Sequence, residues 1–481
     1  MEIAKNKTMS FYIQIIAVVV LMVGIGKLPP IGSITPYGMQ ILGLFIGCII
    51  GWSFGHQIST SLIALVLLSF TGENTLTGVF GNAYSNQSLL MLLFGLIFCF
   101  GVEQTGVMNY IANWILSRKF ASRGPWMVSL AFWIASAICA ALITNSLPVV
   151  ILMWTMFYSV ANKLGVNRTD KWVQITLIMI CVTGYTGSVI MPYAGWNIMC
   201  YGIARSVVPE LEMNFFAHTV LMVVMNIVIL AVLYLLCSLV LARNVKCNSI
   251  ENIVDIADLV MTKQQKLGIL YLVVMVLMMF LPNIVPVTVP GIAILKNLGA
   301  LGSFIVLVIL MCVTYVDGKP LMNPVEAMKS IPWQLYFLLS AALLLASLIS
   351  SADTGISATV VTALNAMIGS LGLFGVMAIF VGFGCFVTNA INNVVCVNIF
   401  VPIAAAMVVG MGGDANVITA LLLMVLYLGL VLPSGSVIGA MMHGNSEWIQ
   451  TSSIYKYASI GCAVVVLVCL FVGIPLGNML F

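Results

Sequence analysis

Two short polar turns interrupt an otherwise apolar chain: Thr144-Asn145-Ser146-Leu147-Pro148 and Thr388-Asn389-Ala390-Ile391-Asn392-Asn393. Uncharged hydroxyl and amide groups donate hydrogen bonds to an anion, and their oxygens can hold a small cation. Two Pro- and Gly-broken stretches accompany the turns, Gly184 to Asn197 around Pro192 and Leu432 to Gly439 around Pro433. At a broken helix the half-helix N-terminus presents unpaired N–H groups that suit an anion, and unwound carbonyls suit a cation. The polar inventory of the four places is Thr144, Asn145, Ser146, Ser188, Asn197, Thr388, Asn389, Asn392, Asn393, Ser434 and Ser436. Taken singly, each reads first as a helix cap or an interhelical hydrogen bond. Asn145 and Asn389 stand apart because they occupy matching turns.

No charged side chain lies in either turn or either break. A proton or sodium exchanger that relays through core carboxylates is therefore not expected; anion binding by neutral donors, balanced by a co-bound cation, is. Glu103, Asp353 and Glu447 fall near span ends, where they read as caps or contacts. His56, His218 and His443 are too far apart in sequence to suggest a metal cluster, and there is no His-Glu-x-x-His, nucleophile elbow or phosphate loop. The Gly-flanked Ser436 has neither a base nor an acid nearby. Neither an enzyme nor a resident cofactor is expected.

The elements that hold these places must be membrane helices. Of 481 residues 62% are hydrophobic and only 7% charged, with a mean hydropathy of +1.16; soluble proteins carry about 25% charged residues. The 18 Lys and Arg outnumber the 14 Asp and Glu, and they flank apolar runs, where they set orientation and do not form a nucleic-acid surface. Most of the twelve Cys sit inside apolar runs and read as packing. Basic clusters at Lys5 and Lys7, Arg118 to Arg123, Lys163 to Lys171, Arg243 to Lys266, and Lys319 and Lys329 are assigned to the cytoplasm. This predicts eleven spans between residues 11 and 478, including 173–203 and 417–442, in the cell (inner) membrane, with the N-terminus cytoplasmic and the C-terminus external. Two stretches, 126–162 and 373–411, have the same charge environment at both ends and are expected to re-enter on the side they left. The competing arrangement, a pair of ordinary spanning helices, needs about 40 apolar residues.

The two halves share an order of features: a span ending in Thr-Gly (Thr105-Gly106, Thr354-Gly355), a hairpin turning at Thr-Asn, then a span broken by Pro and Gly. Asn389 follows Asn145 by 244 residues and Pro433 follows Pro192 by 241. With hairpins opening to opposite sides, the repeats are expected to be inverted, an architecture of secondary transporters. The division is 1–57 as N-terminal spans, 58–242 as the first repeat, 243–299 as a cytoplasmic linker with a connecting span, and 300–481 as the second repeat. Gly43, Gly47 and Gly51 form a helix-packing face on the second span.

The turns Ile143-Thr144-Asn145-Ser146 and Val387-Thr388-Asn389-Ala390 resemble the Ser-Asn-Thr signatures of the divalent anion/sodium symporter family of di-, tricarboxylate and sulfate carriers. The segment Leu432 to Ala440 is similar to that family's second broken-helix motif, and Gly184 to Asn197 occupies the place of the first. The resemblance implies an all-α polytopic membrane protein of about eleven transmembrane helices and two re-entrant hairpins. It further implies a homodimer in lipid, with a fixed scaffold and a transport domain that moves like an elevator. Thr144, Asn145, Ser146, Thr388, Asn389, Ala390, Asn197 and Ser436 would then contact a small organic anion. Sodium ions would lie by Asn145, Ser146, Gly187, Ser188, Asn389, Ser434 and Gly435. Ala390 stands where the family carries a hydroxyl, and Ser436 to Gly439 lacks the family's Asn. A monocarboxylate or C4-dicarboxylate is expected, with fewer polar groups than citrate. A sodium-independent exchanger or exporter on the same fold, and a channel or sensor without coupled transport, are the alternatives.

Overall fold

The computed structural model describes the chain except residues 1, 55, 73, 144, 145, 242–244, 246–259 and 287. Thr144 and Asn145 of the first turn therefore lie outside the described residues, as do Glu73, Arg243 and Lys246 of the charge pattern and much of the linker. The described chain is helical nearly throughout, with one small ribbon in which Tyr315–Val316 pairs with Lys319–Pro320. Helices are what an apolar chain must form in lipid, where backbone groups have no water to bond.

In the first half α1 (Glu2–Gly26), α2 (Pro36–Ser53), α3 (Gln57–Leu68) and α4 (Leu76–Tyr84) lead into α5 (Gln87–Gln104) and α6 (Val107–Leu116). Then follow α7 (Pro125–Ile143), α8 (Ser146–Lys163), α9 (Lys171–Ser188), α10 (Gly195–Val207) and α11 (Phe215–Leu236). The second half runs through α12 (Lys263–Ile284), α13 (Ile292–Val313), α14 (Pro324–Ser330), α15 (Trp333–Ser350) and α16 (Ile356–Ile368). It ends with α17 (Gly372–Ala390), α18 (Asn393–Gly410), α19 (Ala415–Leu426), α20 (Val437–Gly444) and a C-terminal helix, Thr451–Leu480. Among the described residues ten helices are long and apolar enough to cross a membrane, and three apolar ones are shorter.

The expected spans 173–203 and 417–442 each appear as two helices, α9/α10 and α19/α20, separated where Pro192 and Pro433 remove a backbone donor. The short helices α6 and α16 were not anticipated, because each falls below spanning length and continues an apolar run. They occupy matching places. Gly106 (φ 68°) precedes α6 and Gly355 (φ 65°) precedes α16, both left-handed, a conformation glycine adopts without strain. The order long helix, Thr-Gly corner, short helix, helical hairpin, broken helix and long helix thus occurs twice.

Packing divides into two apolar cores. The smaller joins α1 to α4 with α15 through Met22, Ile41, Trp52, Leu65 and Leu338. The larger runs through α5 to α14, α17 to α20 and the C-terminal helix, and takes Leu339 and Leu343 from the other face of α15. The glycine ladder is consumed inside the chain: a Cβ on Gly43 or Gly47 would collide with Met22 of α1, and one on Gly51 with Thr60 of α3. Of the eleven described cysteines ten are buried.

Candidate functional site

The first hairpin is anchored by polar contacts between apolar helices. Trp172 of α9 donates its indole proton to Ser129 of α7 at 2.7 Å, Ser136 donates to the Ile180 carbonyl at 2.9 Å, and Trp154 of α8 donates to the Leu177 carbonyl at 3.0 Å. Gly187 lets the backbones of α9 and α7 touch, since a Cβ there would overlap Ala137. Ser146, the buried first residue of α8, thereby comes beside Ser188, the buried last residue of α9.

A pair of tyrosines not singled out in the sequence bridges these groups to the second repeat. The Tyr427 hydroxyl, just past the end of α19, lies beside the side chains of Ser146 and Ser188. Tyr185 of α9 reaches Ser436 in the second break. The Tyr185 and Tyr427 rings lie 4.3 Å apart, and Trp196 of α10 stacks on Tyr427 at 4.4 Å. Trp196 also donates to the Leu423 carbonyl at 2.8 Å. Residues from hairpin one, break one and break two therefore meet at one aromatic cluster. The signal available in sequence was weak: aromatic residues within a few positions of each helix-breaking proline.

The second tip lies on the other side of the same segment. Thr388 donates to the Leu426 carbonyl at 2.6 Å. Asn389 Oδ1 accepts from the N–H groups of Leu430 and Val431 at 2.9 and 2.8 Å, and its Nδ2 donates to the Cys385 carbonyl at 2.7 Å. Asn389 thus substitutes for the missing helical partners of the unwound chain. Ser434 donates to the Ala390 carbonyl at 3.0 Å, and the Asn393 N–H to the Gly435 carbonyl at 3.1 Å. Gly429 and Gly435 allow this closeness: a Cβ on Gly435 would sit 2.9 Å from the Thr388 carbonyl oxygen and 3.0 Å from Gly429. Ser436 caps α20, accepting from the Gly439 N–H at 3.0 Å and donating to the Gly429 carbonyl at 2.5 Å. Ala390 and Ser434 are exposed at this tip, while Thr388, Gly435 and Ser436 are buried.

Asn197, the third residue of α10, spends both amide protons on the carbonyls of Val189 and Met191, at 2.8 and 2.9 Å. It cannot donate to a carboxylate in this arrangement, but its buried Oδ1 has no partner and remains an acceptor. His218 of α11, also unanticipated at this place, closes the group: its Nε2 lies 3.0 Å from the Val189 carbonyl and 3.2 Å from Asn197 Nδ2. The arrangement gathers the hydroxyls of Tyr427 and Ser146, together with Ser188 and Ser436, whose protons go to the Tyr185 and Gly429 carbonyls, and the crowded carbonyls of Thr388, Gly429 and Leu432. Among the described residues no charged side chain lies in either break or in the second tip.

Comparison with known proteins agrees with this architecture. The structure resembles the Alcanivorax borkumensis YdaH transporter at a TM-score of 0.57 and 13% identity, over 91% of this chain and 97% of that one. It resembles Neisseria gonorrhoeae MtrF, described as illuminating a class of antimetabolite efflux pumps, at 0.57 and 12%, over 95% and 97%. At such low identity these likenesses show the fold, that of an all-α polytopic membrane transporter. No curated protein matches the sequence. The family model CitMHS, described as citrate transporter, matches residues 6–429, and the chain accordingly belongs to the CitMHS family of membrane transporters.

Proposed function

We propose that this chain is a secondary active transporter of small organic anions, di- or monocarboxylates, coupled to sodium. One observation carries the reading: Tyr427, which stacks on Trp196 and lies against Tyr185 of the first repeat with its hydroxyl beside Ser146 and Ser188, comes one residue after Leu426 receives the Thr388 hydroxyl of the second hairpin tip. The two repeats thus share one site built of neutral donors, which suits an anionic guest. The Asn197 oxygen and the carbonyls around Gly435 are acceptors only, and suit a small cation. The family's description as citrate transporters supports a carboxylate substrate. Ala390 supplies no hydroxyl at the second tip, which favours a substrate less polar than citrate.

In this reading the hairpins 126–162 and 373–411 re-enter from opposite sides, and the repeats are inverted. The small core of α1 to α4 and α15 serves as scaffold and dimer-forming unit. An apolar cleft of about 220 Å³ separates α2, α15 and α16 from α18, lined by Phe45, Ile349, Ile356, Ile399 and Pro402. An apolar cleft at this border favours movement of the hairpin unit against the scaffold, as an elevator requires. The protein sits in the cell (inner) membrane with its N-terminus cytoplasmic and its C-terminus external, by the placement of basic residues.

Uptake of labelled succinate and citrate into proteoliposomes, with and without an inward sodium gradient, tests the reading. Uptake driven by the gradient is expected. Uptake that needs only a counter-anion inside the vesicles would instead establish an exchanger, the second reading, which the missing Ala390 hydroxyl and the likeness to the efflux pump MtrF favour. No uptake or exchange of any carboxylate overturns both.

A further inference from the structure

An ionisable side chain buried among membrane helices is costly to keep, and marks a functional place by default. His218 is fully buried beside the first break, and its neighbours dictate where its proton sits. Nε2 faces the Val189 carbonyl at 3.0 Å, so Nε2 carries the proton and donates it. Asn197 cannot receive it, because the nearer Asn197 atom is Nδ2, already donating to Val189 and Met191. Nδ1 is consequently the acceptor of the neutral ring, with the Tyr201 hydroxyl 3.4 Å away. Tyr201 also lines a polar cleft of about 270 Å³ with Gln87, Ser88, Arg205 and Glu212. That cleft lies on the side the basic-residue pattern assigns to the exterior.

We propose that His218 is an anion-linked protonation site of the first break, supplied with protons from the Arg205–Glu212 cleft through the Tyr201 hydroxyl. The proposal rests on the transport reading, in that an anion must bind between the breaks. A proton arriving from water on the Tyr201 oxygen releases the hydroxyl's own proton to Nδ1, so the sum is one proton bound by His218. No hydrogen bond is lost: Nε2–H still donates to Val189, and Nδ1–H now donates to the Tyr201 oxygen. What changes is one positive charge next to the unwound segment.

The other titratable groups here are Tyr201 itself and, acting on Tyr201, Asp414 at the start of α19 and Cys200 of α10. Burial and the Val189 carbonyl act on the imidazole, and among the described residues no carboxylate pairs with it to balance an imidazolium. A buried charge without a partner is unfavourable, and a bound anion supplies the partner. By linkage the anion then promotes protonation and the proton promotes anion binding by the same factor. A chain with no carboxylate at its site thus draws a titrating group from the neighbouring helix.

Calorimetric titration of succinate into the purified full-length protein, in two buffers of unlike ionisation enthalpy, counts protons taken up per anion. Just above pH 7 succinate is doubly ionised and contributes almost no protons of its own. The wild type is expected to take up a measurable fraction of a proton per succinate there and less as pH rises. His218→Gln keeps an N–H for the Val189 oxygen but cannot be protonated, and is expected to bind more weakly with no uptake. Wild-type binding without net proton uptake overturns the proposal, even if the variant fails to fold, and so does equal uptake by a folded His218→Gln. Both results leave the transport reading standing. A protein that binds neither succinate nor citrate and carries no carboxylate overturns the transport reading, and the proposal with it.

Discussion

The hydroxyl of Thr388 donates to the carbonyl oxygen of Leu426 at 2.6 Å, across 38 positions of sequence. The tip of the second hairpin is thereby tied to the last residue of α19 before the chain unwinds. Asn389, the next residue, holds the two unwound N–H groups of Leu430 and Val431. Tip and break are one mechanical unit, and substitutions at either should be felt at both.

Thr388→Val keeps the shape and removes the donor, leaving the Leu426 carbonyl short of a partner. A loss of about 1 kcal/mol is expected, while Asn389→Ala, which orphans the Val431 N–H and leaves the Leu430 N–H only its bond to the Leu428 carbonyl, should cost about 2–3 kcal/mol. Thermal denaturation in detergent orders the two. A larger loss for Thr388→Val than for Asn389→Ala would contradict the assignment of Asn389 as the clasp.

Gly187→Ala sets a methyl group against the Ala137 backbone. Backbone cannot turn aside, so α7 must move away from α9, at about 1–3 kcal/mol for an overpacked contact. Gly184→Ala, three residues earlier, meets only the Ser136 hydroxyl at 3.1 Å and a Val150 methyl at 3.2 Å. Carboxylate uptake should fall severalfold in the first variant and change little in the second.

Tyr427→Phe preserves the stack on Trp196 and deletes the hydroxyl beside Ser146 and Ser188. With stability near that of the wild type, KM for the carried carboxylate should rise about tenfold, the equivalent of ~1.4 kcal/mol. An unchanged KM would remove Tyr427 from the binding site.

Two contacts join the start of α9 and the loop before it to the loop after α20, and they differ in strength. Arg168 pairs with Glu447, but Glu447 is 70% exposed, so Glu447→Gln should cost less than about 1 kcal/mol. Gln174 is buried and bonds the Arg168 and Trp448 carbonyls at 2.7 and 2.6 Å and the Gln450 N–H at 2.8 Å. Gln174→Leu orphans all three and should cost about 2–3 kcal/mol, read from thermal denaturation at low and high salt. Only the Glu447 effect should shrink with salt.

Composition and periodicity alone established a polytopic helical membrane protein, because a chain this apolar has no other way to satisfy its backbone in lipid. The twofold order of Thr-Gly corner, polar hairpin turn and Pro-broken span was also readable, since each feature is local and rests on residue type. Local features could not tell a ligand from a clasp. Asn389 and Asn197 occupy conspicuous places, yet Asn197 spends its donors on unwound carbonyls and Asn389 its acceptor on unwound N–H groups, a fact fixed by which backbone groups the tertiary fold leaves unpaired. Tyr185, Tyr427 and Trp196 look like ordinary apolar filling in sequence, and the fold alone brings them together from three helices. His218 belongs to the site for the same reason: it lies 29 residues beyond Val189, and only the packing of α11 against the first break makes them partners.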